Sequence, residues 1–221
     1  ALGYLALSAD TLGDRNTAVG TSALTAQNFD TTTDAYNTAV GFTAGASITT
    51  GIENTIVGGL AGDALTDADE NVAVGYGALS ADTKGGQSVA VGTFALLSQN
   101  FTTTTSSYNV AVGDRAGRVI TTGLNNTLIG GQAGDALTDA DFNVAVGHLA
   151  LSSDTLGSDS VAIGRSALES QNFTTATAVY NVAVGRSAGV NITTGTQNTL
   201  LGGVAGDSLT DADNNVAIGT S

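Results

Sequence analysis

Asn71-Val-Ala-Val-Gly75 is the stretch that decides the fold, because close copies of it return throughout the chain at fixed spacing. One step in four between successive copies is longer than the others, and the same series of steps runs from Gly75 to Gly147 and again from Gly147 to Gly219. Self-similarity at a short fixed period is typical of a solenoid, in which each unit buries its apolar face against its neighbours. The glycines that end the copies, called rung glycines below, are Gly3, Gly20, Gly41, Gly58, Gly75, Gly92, Gly113, Gly130, Gly147, Gly164, Gly185, Gly202 and Gly219.

The repeated stretch has the alternation of a β-strand. In Asn16-Thr-Ala-Val-Gly20, Thr17 and Val19 share one face and Asn16 and Ala18 the other. We expect the face with the branched residues to point inward. A helix is excluded by the frequent glycines, each of which costs a helix interior about 1 kcal/mol relative to alanine. The sequence therefore predicts an all-β chain, a parallel β-roll or β-helix of about 13 rungs of 17 or 21 residues.

The rungs group into 72-residue super-repeats that follow one another without a linker. The super-repeats are residues 1–71, 72–143 and 144–215, and residues 216–221 open a further rung. We predict that residues 1–221 form a single elongated solenoid segment, and we interpret it as a piece of a longer fibre.

Two polar columns support stacking of like residues on like. A threonine occupies the eighth position after the rung glycine in every complete 17-residue rung, as at Thr49 and Thr66, and an asparagine or serine opens each repeated stretch. In-register strands lie about 4.8 Å apart, and stacked amides can hydrogen-bond along the stack. We interpret the asparagine column as structural; its members are Asn16, Asn37, Asn54, Asn71, Asn109, Asn126, Asn143, Asn181, Asn198 and Asn215, with Ser88 and Ser160 in its two gaps.

Composition excludes several classes of function. The net charge is −14, from 20 acidic and 6 basic residues, so the chain lacks the basic surface that nucleic acids need. Neutral glycans and cations are the expected partners. There is no cysteine to form a disulfide or a thiolate metal site, and no apolar run of the length that inserts into a membrane. Aromatic residues are only 5 %, so we expect a thin interior.

The 21-residue rungs carry four extra residues, which predict a bulge or longer loop. Each such loop contains a phenylalanine: Phe29, Phe101 or Phe173. These rings could form an exposed row that binds a partner every four rungs. The alternative is that they pack under the loop or fill a subunit interface.

Two known groups of stacked-rung proteins resemble this sequence. Ser88-Val-Ala-Val-Gly92 and Ser160-Val-Ala-Ile-Gly164 resemble the head repeats of trimeric autotransporter adhesins, whose heads are left-handed parallel β-rolls associated in threes. The stretch from Asn37 to Gly58 is similar to repeat regions of phage tail fibres that end in an endosialidase-type chaperone. The resemblance implies a left-handed roll, a homotrimer and an extracellular location, and it leaves virion appendage and cell surface as alternatives.

A repeated group of aspartates is the candidate metal site. Oxygen ligands at alternate positions suit Ca²⁺. The group lacks the glycine and the final glutamate of an EF-hand loop, and turn capping by aspartate is the alternative. The candidate calcium ligands are Asp63, Asp67 and Asp69, with their counterparts Asp135, Asp139, Asp141, Asp207, Asp211 and Asp213.

The residues after each rung glycine vary most, which indicates solvent-facing turns. Arg165 and Arg186 occupy this position on consecutive rungs and could bind an acidic sugar or a sulfate, although a solvated face is the alternative. His148, the single histidine, stands in the same position and is expected to be a surface residue. No nucleophile with a base can be assembled, so we do not expect an enzyme.

The sequence therefore favours a structural or adhesive segment of an extracellular fibre. The first hypothesis is a trimeric segment of a phage tail fibre or similar appendage that spaces or presents host-recognition elements. The second is the head of a bacterial surface adhesin that binds glycan or matrix. The third is an ice-binding solenoid that uses the threonine column, although a flat ice-binding face needs two regular threonine columns.

Overall fold

The computed structural model of the chain describes residues 1–220 and contains only strands and turns there, so the predicted all-β class is confirmed. The fold is a parallel β-solenoid of about 12 turns, with ~17-residue spacing from one turn to the next. The first of the predicted 13 rungs contributes no full strand, because Leu2 forms only an isolated parallel bridge with Val19. Within residues 1–220, nothing has the helical length and apolar character needed to cross a membrane.

The chain divides into two units, and the first is Ala1–Asn109. Its main sheet is parallel and contains the five three-residue strands, while the two-residue strands pair in two small sheets, β1 with β3 and β7 with β9. The strands are β1 (Gly13–Asp14), β2 (Thr17–Val19), β3 (Thr33–Asp34), β4 (Thr38–Val40), β5 (Thr55–Val57), β6 (Val72–Val74), β7 (Gly85–Gly86), β8 (Val89–Val91) and β9 (Thr105–Ser106).

The second unit, Val110–Ser221, is built in the same way. Seven three-residue strands form its main parallel sheet, and two two-residue strands, β13 and β15, pair beside it. The strands are β10 (Val110–Val112), β11 (Thr127–Ile129), β12 (Val144–Val146), β13 (Gly157–Ser158), β14 (Val161–Ile163), β15 (Thr177–Ala178), β16 (Val182–Val184), β17 (Thr199–Leu201) and β18 (Val216–Ile218).

Equivalent positions of the repeat stack on one another, as the repeat predicts. Ala39 of β4 pairs with Ile56 of β5, and Ile56 pairs in turn with Ala73 of β6. In the second unit Ala145, Ala162 and Ala183 stack in the same manner on successive rungs. The asparagine column is also confirmed, because Oδ1 of Asn54 and of its equivalents accepts the backbone N–H of the asparagine or serine one rung on.

The prediction for the two faces of the strand is wrong. Thr17 is exposed and Val19 is half-buried, whereas Ala18 between them is only 1 % exposed. In every three-residue strand except β18 the middle residue is buried, and the branched residues on either side of it point outward. The interior is narrow, so each strand can send only its middle side chain inward, and that side chain is usually alanine.

Large and small side chains alternate in the interior to fill this narrow space. The fourth residue after the rung glycine, called the inner corner below, is leucine on some rungs and glycine on others. Where it is glycine, as at Gly62, a large apolar residue follows three positions later. A Cβ on Gly62 would lie 2.9 Å from Cδ1 of Leu65 and 3.0 Å from Cδ1 of Ile56, so the glycine makes room for both side chains.

The rung glycines form a tight corner in each turn. Gly58 has φ +139°, a conformation that residues with a Cβ rarely adopt. A Cβ there would lie only 2.4 Å from the carbonyl oxygen of Gly75 on the next rung. The glycine column is therefore required both by its dihedral angles and by the close approach of successive rungs.

Candidate functional site

The outward face of the main sheet is a regular surface in each unit. The residues on either side of each buried alanine form two columns of Val, Thr, Ile and Leu, called the outward strand face below. Several of these side chains are well exposed, including Ile129 at 40 % and Leu201 at 46 %. When one face of a sheet is buried, the residues on the opposite face are normally polar. An apolar outward face on successive rungs is the feature of an interaction surface.

A second surface lies at the turn after the strand. The residues that directly follow the rung glycines form a column, called the corner column below, in which most backbone carbonyls accept an N–H from the next rung. In the first unit, N–H groups of Leu60 and Phe94 donate to the carbonyls of Phe42 and Tyr76 at 2.9 and 3.0 Å. The column members are Tyr4, Thr21, Phe42, Gly59, Tyr76 and Thr93 in the first unit, and Asp114, Gly131, His148, Arg165, Arg186 and Gly203 in the second.

The corner column contains exposed aromatic side chains in the first unit and exposed basic side chains in the second. Phe42 and Tyr76 are exposed, and Gly59 lies between their rungs. In the second unit His148, Arg165 and Arg186 are all exposed on consecutive rungs. The N–H groups of Ser166 and Ser187 donate to the carbonyls of His148 and Arg165, both at 2.9 Å, which places the three side chains in register. The structure thus brings the two predicted binding arginines together.

Asp69, Asp141 and Asp213 hold neighbouring rungs together. Oδ1 of Asp69 accepts the backbone N–H of Ile52 at 2.8 Å, and Asp141 and Asp213 accept the equivalent N–H groups, both at 2.7 Å. These bonds satisfy backbone donors at a turn, as the capping alternative predicts. Burial raises the pKa of Asp69, as do Glu70 and Asp67, while the bond from Ile52 acts in the opposite direction.

Asp67, Asp139 and Asp211 have separate partners. Asp67 accepts a bond from the Thr66 hydroxyl at 2.9 Å and pairs with Lys84 at 3.3 Å. Burial acts to raise the pKa of Asp67, but the bonds from Thr66, its own backbone and Lys84 together lower it. Asp139 accepts the hydroxyl of Thr122 at 2.5 Å, and Asp211 accepts that of Thr210 at 3.1 Å.

Asp63, Asp135 and Asp207 complete the predicted calcium ligands. Burial raises the pKa of Asp63, and its buried Oδ1 accepts no hydrogen bond among the described residues. Burial also raises the pKa of Asp135, against the effect of the nearby Arg118 charge. Across residues 1–220, no three or more His, Asp or Glu side chains are grouped so that they could hold a metal ion. Their separate hydrogen-bond partners account for most of these carboxylates without calcium, and calcium binding stays a prediction.

The three loop phenylalanines lie in the interior. Phe29, Phe101 and Phe173 are 6, 6 and 8 % exposed, so they offer little surface to a partner. Phe101 packs over Gly85, where a Cβ would come within 2.7 Å of its ring. Its backbone N–H donates to Asp82 at 3.0 Å. The phenylalanines therefore fasten the inserted loop to the roll, as the packing alternative predicts.

The structure also contains a buried polar cluster that sequence reasoning missed. Asp82 is fully buried and accepts bonds from the N–H groups of Gly85 and Phe101 and from Nε2 of Gln99, at 3.0, 3.0 and 2.6 Å. Gln99 also donates to Ser88 at 2.8 Å, and its Oε1 accepts from Asn109 at 2.9 Å. The signal was available: an Asp-x-x-Gly sequence, followed one rung later by a glutamine, recurs at Asp10, Asp82 and Asp154.

Comparison with known proteins finds no relative of this chain. No protein-family model matches the chain, and neither the curated proteins nor the solved structures contain a match. The functional argument therefore depends on the two surfaces described above, the outward strand face and the corner column.

Proposed function

We propose that this protein is a structural segment of an extracellular fibre, of the kind found in a phage tail fibre or similar appendage, and that it associates with copies of itself. In this role the segment spaces or presents elements that recognise a host. The observation that carries the proposal is the apolar outward strand face. The resemblance to phage tail-fibre repeats and adhesin heads supports a trimer as the assembled form.

The narrow interior supports association. Each strand buries one middle side chain, most often alanine, and burial stabilises by about 25 cal/mol per Å² of apolar area. A roll that buries so little per rung gains from covering further apolar surface. The Val, Ile and Leu side chains for such a second core are already aligned on the outward strand face.

Every strand of the main sheet contributes to the outward strand face. The five three-residue strands of the first unit and the seven of the second each present two outward side chains within the described residues. A closed ring of copies would cover the same face on every copy, as cyclic symmetry requires.

The adhesin head is the second candidate, and the corner column favours it. Exposed aromatic rings at Phe42 and Tyr76 and exposed arginines at Arg165 and Arg186 are side chains suited to sugars and to their acidic groups. A glycan-binding head and a spacer would both use the outward strand face for assembly. They differ in whether the isolated segment binds glycan.

The proposal is tested by the mass of the native assembly. We expect native mass spectrometry and sedimentation equilibrium to give a trimer for the wild-type chain. The double variant Ile163→Lys/Leu201→Lys places charges on the outward strand face and is expected to dissociate the trimer. The control Thr103→Lys/Thr174→Lys adds the same charge at exposed loop residues and should remain trimeric. A wild-type chain that stays monomeric at micromolar concentration would overturn the proposal.

A further inference from the structure

We infer that His148, Arg165 and Arg186 form a binding site for the oxyanion groups, sulfate or carboxylate, of an acidic polysaccharide. The inference depends on the proposed extracellular role only for the choice of a polysaccharide as the source of those groups. The three side chains are called the basic column below.

The first argument is the pairing of charges. The chain has 20 acidic residues and only 6 Lys and Arg, so a basic side chain easily finds a carboxylate. Arg15, Lys84 and Arg115 lie 3.0, 3.3 and 4.0 Å from aspartate oxygens, and Arg118 lies close enough to Asp135 to act on its pKa.

Arg118 makes no ion pair, but it is half-buried. Arg165 and Arg186 are the two arginines within residues 1–220 that are exposed and make neither an ion pair nor a side-chain hydrogen bond there. Two arginines without an intramolecular partner in so acidic a chain, on adjacent rungs, leave two guanidinium groups available to an external anion.

The second argument is the register. Val146 of β12 pairs with Ile163 of β14, and Ile163 pairs with Val184 of β16. Each member of the basic column comes two positions after one of these paired residues, so the three follow one another at about the 4.8 Å spacing of adjacent strands. Parallel guanidinium groups at this separation can hold one oxyanion between them or neighbouring oxyanions along a polymer.

The third argument is the space around the column. The corner-column residues on the rungs before and after it are Gly131 and Gly203. A Cβ at Gly131 would lie 3.5 Å from Cδ2 of His148, and one at Gly203 would meet nothing within 4 Å. Neither glycine has a side chain that could cover the column. The basic column is thus a group of three projecting side chains with a glycine at each end.

Electrostatics favours an anion at this place. Like charges on adjacent rungs repel each other, and an oxyanion between them removes that repulsion while it accepts bidentate bonds from arginine. The chain as a whole has a net charge of −14, which repels a polyanion. Binding should therefore be confined to the basic column and should weaken with salt over tens to hundreds of millimolar.

The experiment measures binding of the full chain to immobilised heparin, which is sulfated, to polygalacturonate, which is carboxylated, and to neutral dextran. We expect the wild-type chain to bind one or both polyanions at low salt and to ignore dextran. The double variant Arg165→Gln/Arg186→Gln should bind the polyanions about tenfold or more weakly, since both positions lose their charge-assisted hydrogen bonds to the oxyanions. The control Lys84→Gln/Arg115→Gln removes the same two charges elsewhere and should bind within about twofold of wild type.

The outcomes separate this inference from the proposed function. Equal losses in the two double variants, or no polyanion binding by a wild-type trimer, would overturn the basic column while leaving the fibre segment intact. A change in oligomeric state on Arg165→Gln/Arg186→Gln, measured by native mass spectrometry, would assign the arginines to a carboxylate of a second copy and would also overturn it. Selective loss of heparin or polygalacturonate binding in an intact trimer would support it and identify the preferred oxyanion.

Discussion

The side chain of Asn54 receives the backbone N–H of Asn71, one rung further on, in a buried hydrogen bond of 3.0 Å. Asn54 also donates through Nδ2 to the carbonyl of Ala68 at 2.8 Å and to that of Ile52 at 3.0 Å. One side chain therefore satisfies backbone groups on its own rung and on the next. The column of such residues links the rungs of each unit through polar contacts in the interior.

Asn54→Ala should destabilise the fold by roughly 3 kcal/mol, because it leaves a buried donor and buried acceptors unpaired at about 1–3 kcal/mol each. Chemical denaturation at a fixed protein concentration would measure the loss. The matched control is Asn28→Ala, at an exposed residue whose side chain accepts one bond from Thr11. We expect a cost below about 0.5 kcal/mol there. Similar costs for the two variants would contradict the structural role of the column.

Gly58→Ala should cost about 3 kcal/mol or more, because it combines a conformation that only glycine tolerates with a Cβ placed 2.4 Å from the Gly75 carbonyl oxygen. Gly203→Ala is the control, since a Cβ there meets nothing within 4 Å. It should be neutral or slightly stabilising. Thermal unfolding followed by circular dichroism would distinguish them. A Gly58→Ala protein as stable as wild type would show that successive rungs are not in close contact at this corner.

Asp63→Asn should stabilise the protein at neutral pH and have little effect near pH 3. Burial raises the pKa of the Asp63 carboxyl in the folded state above its value in the unfolded state. The protonated carboxyl therefore stabilises the fold below the unfolded-state pKa, and this stabilisation is lost as the pH rises through the folded-state pKa. Asparagine removes the cost of a buried charge above that range. The measurement is the unfolding midpoint of both proteins from pH 3 to pH 7.

Asp67→Asn is the control, because its effect on stability at neutral pH should have the opposite sign to that of Asp63→Asn. Although burial acts to raise the pKa of Asp67, the bonds from Thr66 and Lys84 lower it below the unfolded value. The ionised carboxyl of Asp67 therefore stabilises the fold above the unfolded-state pKa, and this stabilisation is lost as the pH falls through the folded-state pKa. Asp67→Asn should be destabilising at pH 7 and neutral in acid. The same sign for both variants would refute this account of the two carboxylates.

Thermal hysteresis, the signature of ice binding, is expected to be absent. The hydroxyls of Thr66 and Thr138 donate to the carbonyls of the next rung, both at 3.0 Å, so they are already engaged along the stack. Asn28, Asn100 and Asn172 also interrupt the threonine column on the 21-residue rungs. Nanolitre osmometry of the assembled protein at millimolar concentration would check this. A measurable gap between melting and freezing would support the ice-binding alternative.

The repeat predicts the rungs and their register, because identical residues at identical spacing leave one way to stack. The prediction that the branched residues of each strand face inward is wrong. Alternation in Thr17, Ala18 and Val19 defines two faces, but the side that faces inward depends on the width of the roll, which no short stretch encodes. The narrow interior selects alanine and leaves the branched residues outside.

The candidate site was predicted only in part. The variable position after the rung glycine pointed to Arg165 and Arg186, and coordinates were needed to find that they have no carboxylate partner within residues 1–220. The sequence allowed the loop phenylalanines to form an exposed contact row, because it does not show that a ring such as that of Phe101 packs over Gly85 on the preceding rung. The buried cluster of Asp82 and Gln99 was not predicted, because side chains of this type are rarely buried without partners, and most of the partners lie on other rungs.

The alternation of leucine and glycine at the inner corner completes one cycle per super-repeat, and so do the buried aspartate and glutamine that accompany it. Loss of a single rung would therefore stack layers whose interiors do not match, whereas loss or gain of a whole block restores the original order. Recombination within the gene can thus shorten or lengthen the protein in steps of four layers while every surviving layer keeps neighbours that fit it.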